Sequence, residues 1–341
     1  MAIRSGLLRM VLRRLVVGLP AVLGVVLVTF VMVRLSGESP VHLLAGPNAS
    51  PLEIATVTRA LGLDRSLPEQ LAIYVGRLLH GDLGVSWLSG QPVLAELRDR
   101  LPATLELVAL AMLLGGGLGV WIGCRAAFRP GSAFDHLVQA AATVTFSIPI
   151  YVVGLLAILI FFVALGVAPA PMGRLSMAVL APPRVTGSLL VDSVLAGDLA
   201  ALGSAAAQLV LPVGCFALIV AGPTVKHVRA VVADALASEY VAYARACGLP
   251  DAMVRRIALR NAVVPIATFL GLEFAHLFAA SSLIELTFAW GGVGQYGLNA
   301  ILQGDFAAVQ GYVLLLAVAS LIVFFVVDLF VWLVEPRAKT A

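Results

Sequence analysis

The chain has 341 residues, of which 61% are hydrophobic and only 12% charged, with a formal net charge of +3. A soluble domain carries about 25% charged residues, and here the apolar residues fall in long uninterrupted runs, so a membrane protein is expected and a large soluble core is excluded. The small positive balance leaves no nucleic-acid footprint, and Cys124, Cys215 and Cys247 give no disulfide framework, two of them lying in apolar runs as packing residues.

Leu15 to Val33 is 19 residues without a charge, preceded by Arg4, Arg9, Arg13 and Arg14. The run is too long for a signal-peptide core and no small-x-small cleavage site follows, so it reads as a retained first span with a cytoplasmic N-terminus. Residues 36–101 form a first external loop, with amphipathic helices expected over Pro51–Leu61 and Leu67–Leu79. Further charge-free runs are Leu107–Cys124, Leu137–Gly173, Leu199–Val225 and Phe306–Val327, while Asn261–Ile284 is apolar apart from Glu273 and His276. The run from Leu137 is too long for one simple span and is interrupted by Ser147-Ile148-Pro149, which predicts a kinked helix or two spans.

Loop charge decides between them. With one span there, the basic segments 125–129, 226–260 and 337–339 share the cytoplasmic side, and the Lys- and Arg-free loop Glu285–Asp305 lies outside. Splitting that run would put Arg255, Arg256 and Arg260 outside. The expected fold is therefore an all-α polytopic membrane protein of six transmembrane helices with both termini cytoplasmic.

The most polar long stretch of the second half runs from Glu239 to Pro265. Leu236, Tyr240, Tyr243, Ala244 and Cys247 fall at helical spacing, predicting one apolar face on a helix over Val231–Cys247. Gly248 follows, where a left-handed C-terminal cap favours glycine. Pro250-Asp251 restarts a helix with Asp251 as N-cap; Met253 and Ile257 share one face, Arg256 and Arg260 another, and Pro265 marks entry into the next span. From pattern alone the segment reads either as a docking helix for a partner's groove or as an amphipathic helix whose arginines touch anionic lipid.

"YARACGLPDAMVRRIALRNAVVP" resembles the EAA-type loop of permease subunits in binding-protein-dependent ABC importers, in particular the dipeptide/oligopeptide/nickel permease family. Ala244, Arg245, Ala246, Gly248, Leu249, Leu259, Arg260, Asn261, Ala262 and Pro265 match; Cys247 stands where lysine is common. "LGLDRSLPEQ", "HGDLGVSW", "LPATLEL", "FDH", "SIPIYVVG", "PAPMGR", "ELTFAWGGVG", "VQGYVLL" and "VDLFVWLVEPR" extend the resemblance along nearly the whole chain, in the family's order. "LSGESP" replaces the usual P-G-D-P, and Gly291 stands where proline is common.

The resemblance implies a type I ABC importer permease fold, with a first span over 1–35, the external loop 36–101, a transmembrane domain over 102–337 and a short tail, 338–341. It implies a coupling loop at 231–265 whose surface uses Glu239, Tyr240, Ala244, Arg245, Ala246, Gly248, Leu249, Arg256, Leu259, Arg260, Asn261 and Pro265. The implied partners are a second permease subunit, two cytoplasmic ATPases that bind ATP and Mg, an external binding protein or lipoprotein, and the bilayer of the cytoplasmic membrane. Peptide, nickel and glutathione importers share the pattern. The only lysines, Lys226 and Lys339, follow no phosphate-binding loop, so ATP hydrolysis is not expected of this chain.

Intramembrane ionisable groups are functional candidates. Glu273 and His276 share a helix face and are candidate pathway residues, with Glu285 beside the external turn as structural or gate-adjacent. The family that the chain resembles more often has a neutral residue, such as glutamine, at the Glu273 position. Glu106 and Asp328 lie near span ends. A proton-coupled secondary transporter would use such groups, but no repeated halves with broken helices accompany them. His42, His80, His136, His227 and His276 are scattered singly, so no metal site and no intramembrane metallohydrolase is expected.

Overall fold

In the computed structural model, residues 2–35, 49–60 and 62–334 are described. Residues 36–40 of "LSGESP", His42, Leu61 and the tail 338–341 lie outside them. Among the described residues five helices are long and apolar enough to cross a membrane, or six when one bent pair counts as a span.

Helix α1 (Ala2–Leu35) covers the first expected span. It packs along the last long helix, where the Arg14 guanidinium forks onto Asp328. A Cβ on Gly18 would overlap Leu321, so glycine sets the approach of the two backbones. The C-terminal end of α1 is tied to the short helices α2 (Pro51–Ala60) and α3 (Leu67–Leu79). Arg34 Nε donates to Gln70 Oε1 at 2.7 Å, and Phe30 stacks on Tyr74. Burial pushes the Tyr74 phenol up to about 12, against the opposing charge of Arg34. The Ser66 N–H opens α3 by donating to Glu69, the return half of a capping box.

Helix α4 (Val93–Ala111) continues through a π-turn at Met112–Gly116 into α5 (Gly117–Ala127), together one span of 35 residues. Gly115, Gly119 and Gly123 recur every fourth residue and all face a later long helix, α9 (Leu199–Ala237). A Cβ on Gly119 would come within 2.6 Å of Thr224 Cβ, and one on Gly123 within 2.9 Å of the Val225 carbonyl. Without a hydrophobic driving force between helices in lipid, such close backbone contact supplies the packing.

The run from Leu137 is broken more sharply than a kink. Helix α6 (Ala133–Ser147) and α7 (Ile150–Ala157, continued by a π-stretch to Ala164) meet at 97°. Ile148 is extended and Pro149 caps α7, because the residue before proline avoids the helical region and proline lacks the N–H. Each arm holds 15 residues, about 22 Å, too short to cross the ~30 Å hydrocarbon alone. The pair therefore makes at most one span.

The segment before α9 contributes α8 (Leu189–Ala196), ended by Gly197 in the left-handed conformation. Helices α9 and α11 (Asp251–Thr287) have 39 and 37 residues, each over 50 Å at about 1.5 Å per residue. They overshoot the bilayer and carry the short α10 (Glu239–Ala246) between them on one side. Helix α12 (Val293–Leu302) folds back beside the C-terminal end of α11, and α13 (Phe306–Val334) closes the bundle. The main core lies where α4, α9, α11, α12 and α13 meet, around Leu107, Phe216, Leu277, Ile284 and Trp290. The sharp turn out of α11 places Ala289 at φ +50 and Gly291 at φ +75. A φ of +75 is closed to proline, so the turn at Gly291 differs from one built on proline.

Candidate functional site

The polar loop is built on Ser238, Gly248 and Pro250. The single helix expected over Val231–Cys247 is broken at Ser238, whose backbone is extended (ψ 155) and whose Oγ donates to the Ala235 carbonyl at 2.6 Å. Serine competes with the helix by this local bond. Helix α10 ends as the glycine predicts: at φ +75, the Gly248 N–H donates to Arg245 O and the Leu249 N–H to Ala244 O. Pro250, not Asp251, caps α11, and Asp251 is its first helical residue. A carboxylate there still suits the positive end of the helix dipole.

The buried face of α10 differs from the one expected. Val241 and Ala244 are buried against Val254 and Ala258 of α11, with Leu236, Leu249 and Ile257 around them. Tyr240, Tyr243 and Cys247 point outward, Tyr243 with 73% of its surface exposed. The rotation follows from the break at Ser238, which resets the helical phase read from Leu236 onward. Glu239, Arg245, Ala246, Arg256, Arg260 and Asn261 are exposed as well, and Leu249 and Leu259 are half-buried. Leu259 and Ala262 pack with Ala127, Val228 and Val232, which holds the start of α11 to α5 and α9. Pro265 marks no boundary: α11 runs through it without interruption. The result is a small apolar anchor beneath an aromatic and basic outer surface.

Mid-way along α11, Glu273 is half-buried and His276 exposed. The structure adds a residue that sequence reasoning set aside. His227 of α9 stacks on Phe269 at 4.1 Å, one helical turn before Glu273 on α11. The only sequence signal for His227 was its place just past an apolar run, beside Lys226.

Glu285 is not grouped with them. It is fully buried, accepts from Thr104 Oγ1 at 2.5 Å and from the Gln295 N–H at 2.8 Å, and Thr104 in turn accepts from the Val293 N–H. This carboxylate ties α11 to α4 and serves the otherwise unsatisfied N–H groups at the start of α12. Trp290 Nε1 donates to the Ala103 carbonyl at 3.0 Å beside it. Outside the spans, burial and a hydrogen bond to Glu96 push the Tyr296 phenol above its usual range.

Two buried carboxylates elsewhere in the bundle are paired across long sequence distances. Glu106 accepts from Arg174, Ser188 Oγ and the Leu190 N–H. Asp135, 1% exposed, takes a two-pronged bond from Arg229 as well as the Gly131 N–H and Gln139. Among the described residues no group of three or more His, Cys, Asp or Glu is placed to hold a metal ion.

Long apolar helices, buried carboxylates paired with arginines from distant parts of the chain, and one helix–glycine–helix loop at one end of the bundle define a polytopic α-helical membrane transport component. The chain belongs to the family described as the binding-protein-dependent transport system inner membrane component, which matches residues 115–340; the N-terminal part of such components matches residues 7–108. It is 36% identical, over 98% of its length and 99% of the relative, to the di/tripeptide transport system permease protein DppB of Pseudomonas aeruginosa. It is 37% identical to the probable D,D-dipeptide transport system permease protein DdpB of Escherichia coli, over 93% of each chain. Against the dipeptide transport system permease protein DppB of Escherichia coli the identity is 34%, over 98% of this chain and 99% of the relative. The protein is thus a non-catalytic, multi-pass component of the inner membrane.

Proposed function

We propose that the chain is one permease half of an ATP-driven importer that moves di- or oligopeptides delivered by an external binding protein. The relatives of near-equal length named for dipeptides and tripeptides support the cargo class. The observation that carries the coupling role is the α10–Gly248–α11 loop. Its inner face is spent on anchoring, so Tyr240, Tyr243, Arg245, Arg256 and Arg260 are left for a partner. That partner is a cytoplasmic ATPase, which binds ATP and Mg; a second permease subunit completes the pair.

In this reading α11 is the lever. It runs unbroken from the docking loop, past Glu273, to the clamp at Glu285. Movement of the loop on ATPase closure is therefore delivered to the outer turn at Trp290 through one stiff element. Glu273, with His276 and His227, faces the partner subunit or the cavity, since a carboxylate facing lipid at mid-depth costs about 2.5–3.5 kcal/mol on insertion scales. There it favours a cationic group such as a peptide amino terminus.

Two measurements test the proposal together. Uptake of labelled dipeptide by the reconstituted complex should require ATP and the binding protein. Impermeant thiol labelling should find 250–260 cytoplasmic and 285–305 external. Uptake without ATP, or external labelling of 250–260, overturns it.

A further inference from the structure

We infer that the end of α5 next to the docking loop is a binding site for the headgroup of an anionic phospholipid, formed by Trp121, Arg125, Phe128 and Arg255. Leu118, Trp121, Arg125 and Phe128 follow one another at spacings of three and four, so they lie along one stripe of α5 and its cap. Leu118, Trp121 and Arg125 face away from α9, because Gly115, Gly119 and Gly123 occupy the packed side, while Phe128 at the end of the stripe is half-buried against Ala127, Val228, Val232 and Ala262. Leu118 and Trp121 are correspondingly exposed, Trp121 with 56% of its surface open, and Leu114 is exposed one turn deeper.

The depth of this stripe follows from the sequence. The 18 charge-free residues Leu107–Cys124 span about 27 Å as helix, close to the hydrocarbon thickness of ~30 Å. Glu106 bounds the run at one end and Arg125 at the other. Arg125 therefore sits at headgroup level and Trp121 one turn inside, where an indole is favoured. The polarity along the stripe is that of a phospholipid, with leucines for the acyl chain and a cation for the phosphate.

The cations are also held ready. The Arg125 guanidinium lies 4.6 Å from the centre of the Trp121 ring, and the Arg255 guanidinium 5.1 Å from that of Phe128. Stacking fixes the plane of a guanidinium while leaving its N–H edge free for a bidentate phosphate contact. Arg125, Arg255 and the adjacent exposed Arg129 have no carboxylate partner among the described residues, in contrast to Arg14, Arg174 and Arg229. A basic cluster at the cytoplasmic boundary of a span attracts anionic lipid with about a fivefold gain per residue. The inference rests on the orientation proposed above, which makes this the cytoplasmic leaflet. It places a bound lipid against Phe128, whose ring contacts α11 at the root of the docking loop.

The test uses the full transporter complex in nanodiscs carrying phosphatidylglycerol or phosphatidylcholine brominated on the acyl chains, at equal mole fraction. Fluorescence quenching is compared between the native chain and Trp121→Phe, which isolates the Trp121 signal. The expected result is stronger Trp121-dependent quenching by brominated phosphatidylglycerol, with the preference falling about fivefold in Arg125→Gln while capture of the ATPases is unchanged. Equal quenching by the two lipids reduces the stripe to ordinary boundary surface and overturns the site. Absence of any Trp121-dependent quenching means that a protein subunit covers this face, and overturns it too. The native-chain comparison stands even if Arg125→Gln fails to assemble. Impermeant labelling of Arg129→Cys reports the orientation separately, so a failure there is distinct from a failure of lipid preference.

Discussion

The two ends of α11 are built in opposite ways. At the outer end Glu285, Trp290 and Ile284 are sealed in the main core, and the carboxylate joins three elements through Thr104 and the backbone of α12. At the inner end Val241, Ala244, Val254 and Ala258 form only a small cluster, and Tyr240, Tyr243, Met253 and the arginines are left outside it. The contrast separates two jobs along one helix. A buried, hydrogen-bonded knot fixes a position, whereas a thin anchor under exposed aromatic and basic groups leaves most of the surface to be completed by something else.

The comparison breaks first at the outer knot. Glu285→Ala leaves Thr104 and the Gln295 N–H without their acceptor and should cost about 2–4 kcal/mol. Thermal unfolding of the purified complex reads this directly, and an unchanged melting temperature would mean that Glu285 is not a clamp. At the inner end Gly248→Val forces a β-branched residue to positive φ, a strain of about 1–3 kcal/mol confined to the turn. Membrane insertion should survive while ATPase capture and transport fall. Normal capture and transport would show that Gly248 is not the pivot.

Between the two ends, Glu273→Gln keeps the shape and removes the charge. Transport of cationic or zwitterionic peptides in proteoliposomes should slow while the ATPases remain bound, and unchanged transport across acid and neutral pH would make Glu273 a structural residue. The mildest change in stability is expected for Tyr243→Ala, within about 0.5 kcal/mol, with weaker binding of the ATPases in a pull-down at matched membrane levels. A destabilised bundle with normal pull-down would reverse the roles assigned to anchor and surface.

Much of this was legible in the sequence, because the deciding features are local. An uninterrupted apolar run must become a helix in lipid, where every backbone N–H and C=O has to be satisfied internally. Thus α1, α4–α5, α9, α11 and α13 each cover an expected span. Gly248 ends α10 as expected, since the left-handed cap is a property of that residue alone. Loop charge was enough to favour one orientation before any contact was known.

What only the tertiary structure decided depends on which elements meet. The buried side of α10 could not be read from its spacing, because the break at Ser238 shifts the phase and packing on Val254 and Ala258 selects Val241 and Ala244. The interruption at Ser147-Ile148-Pro149 was visible, but its 97° angle was not, since the angle is set by what each arm packs against. The pairs Arg14–Asp328, Arg174–Glu106 and Arg229–Asp135 join residues 314, 68 and 94 positions apart. Sequence showed only that charges lay in or near the spans; burial away from water favours a partner for Asp328, Glu106 and Asp135, and the fold chose which one.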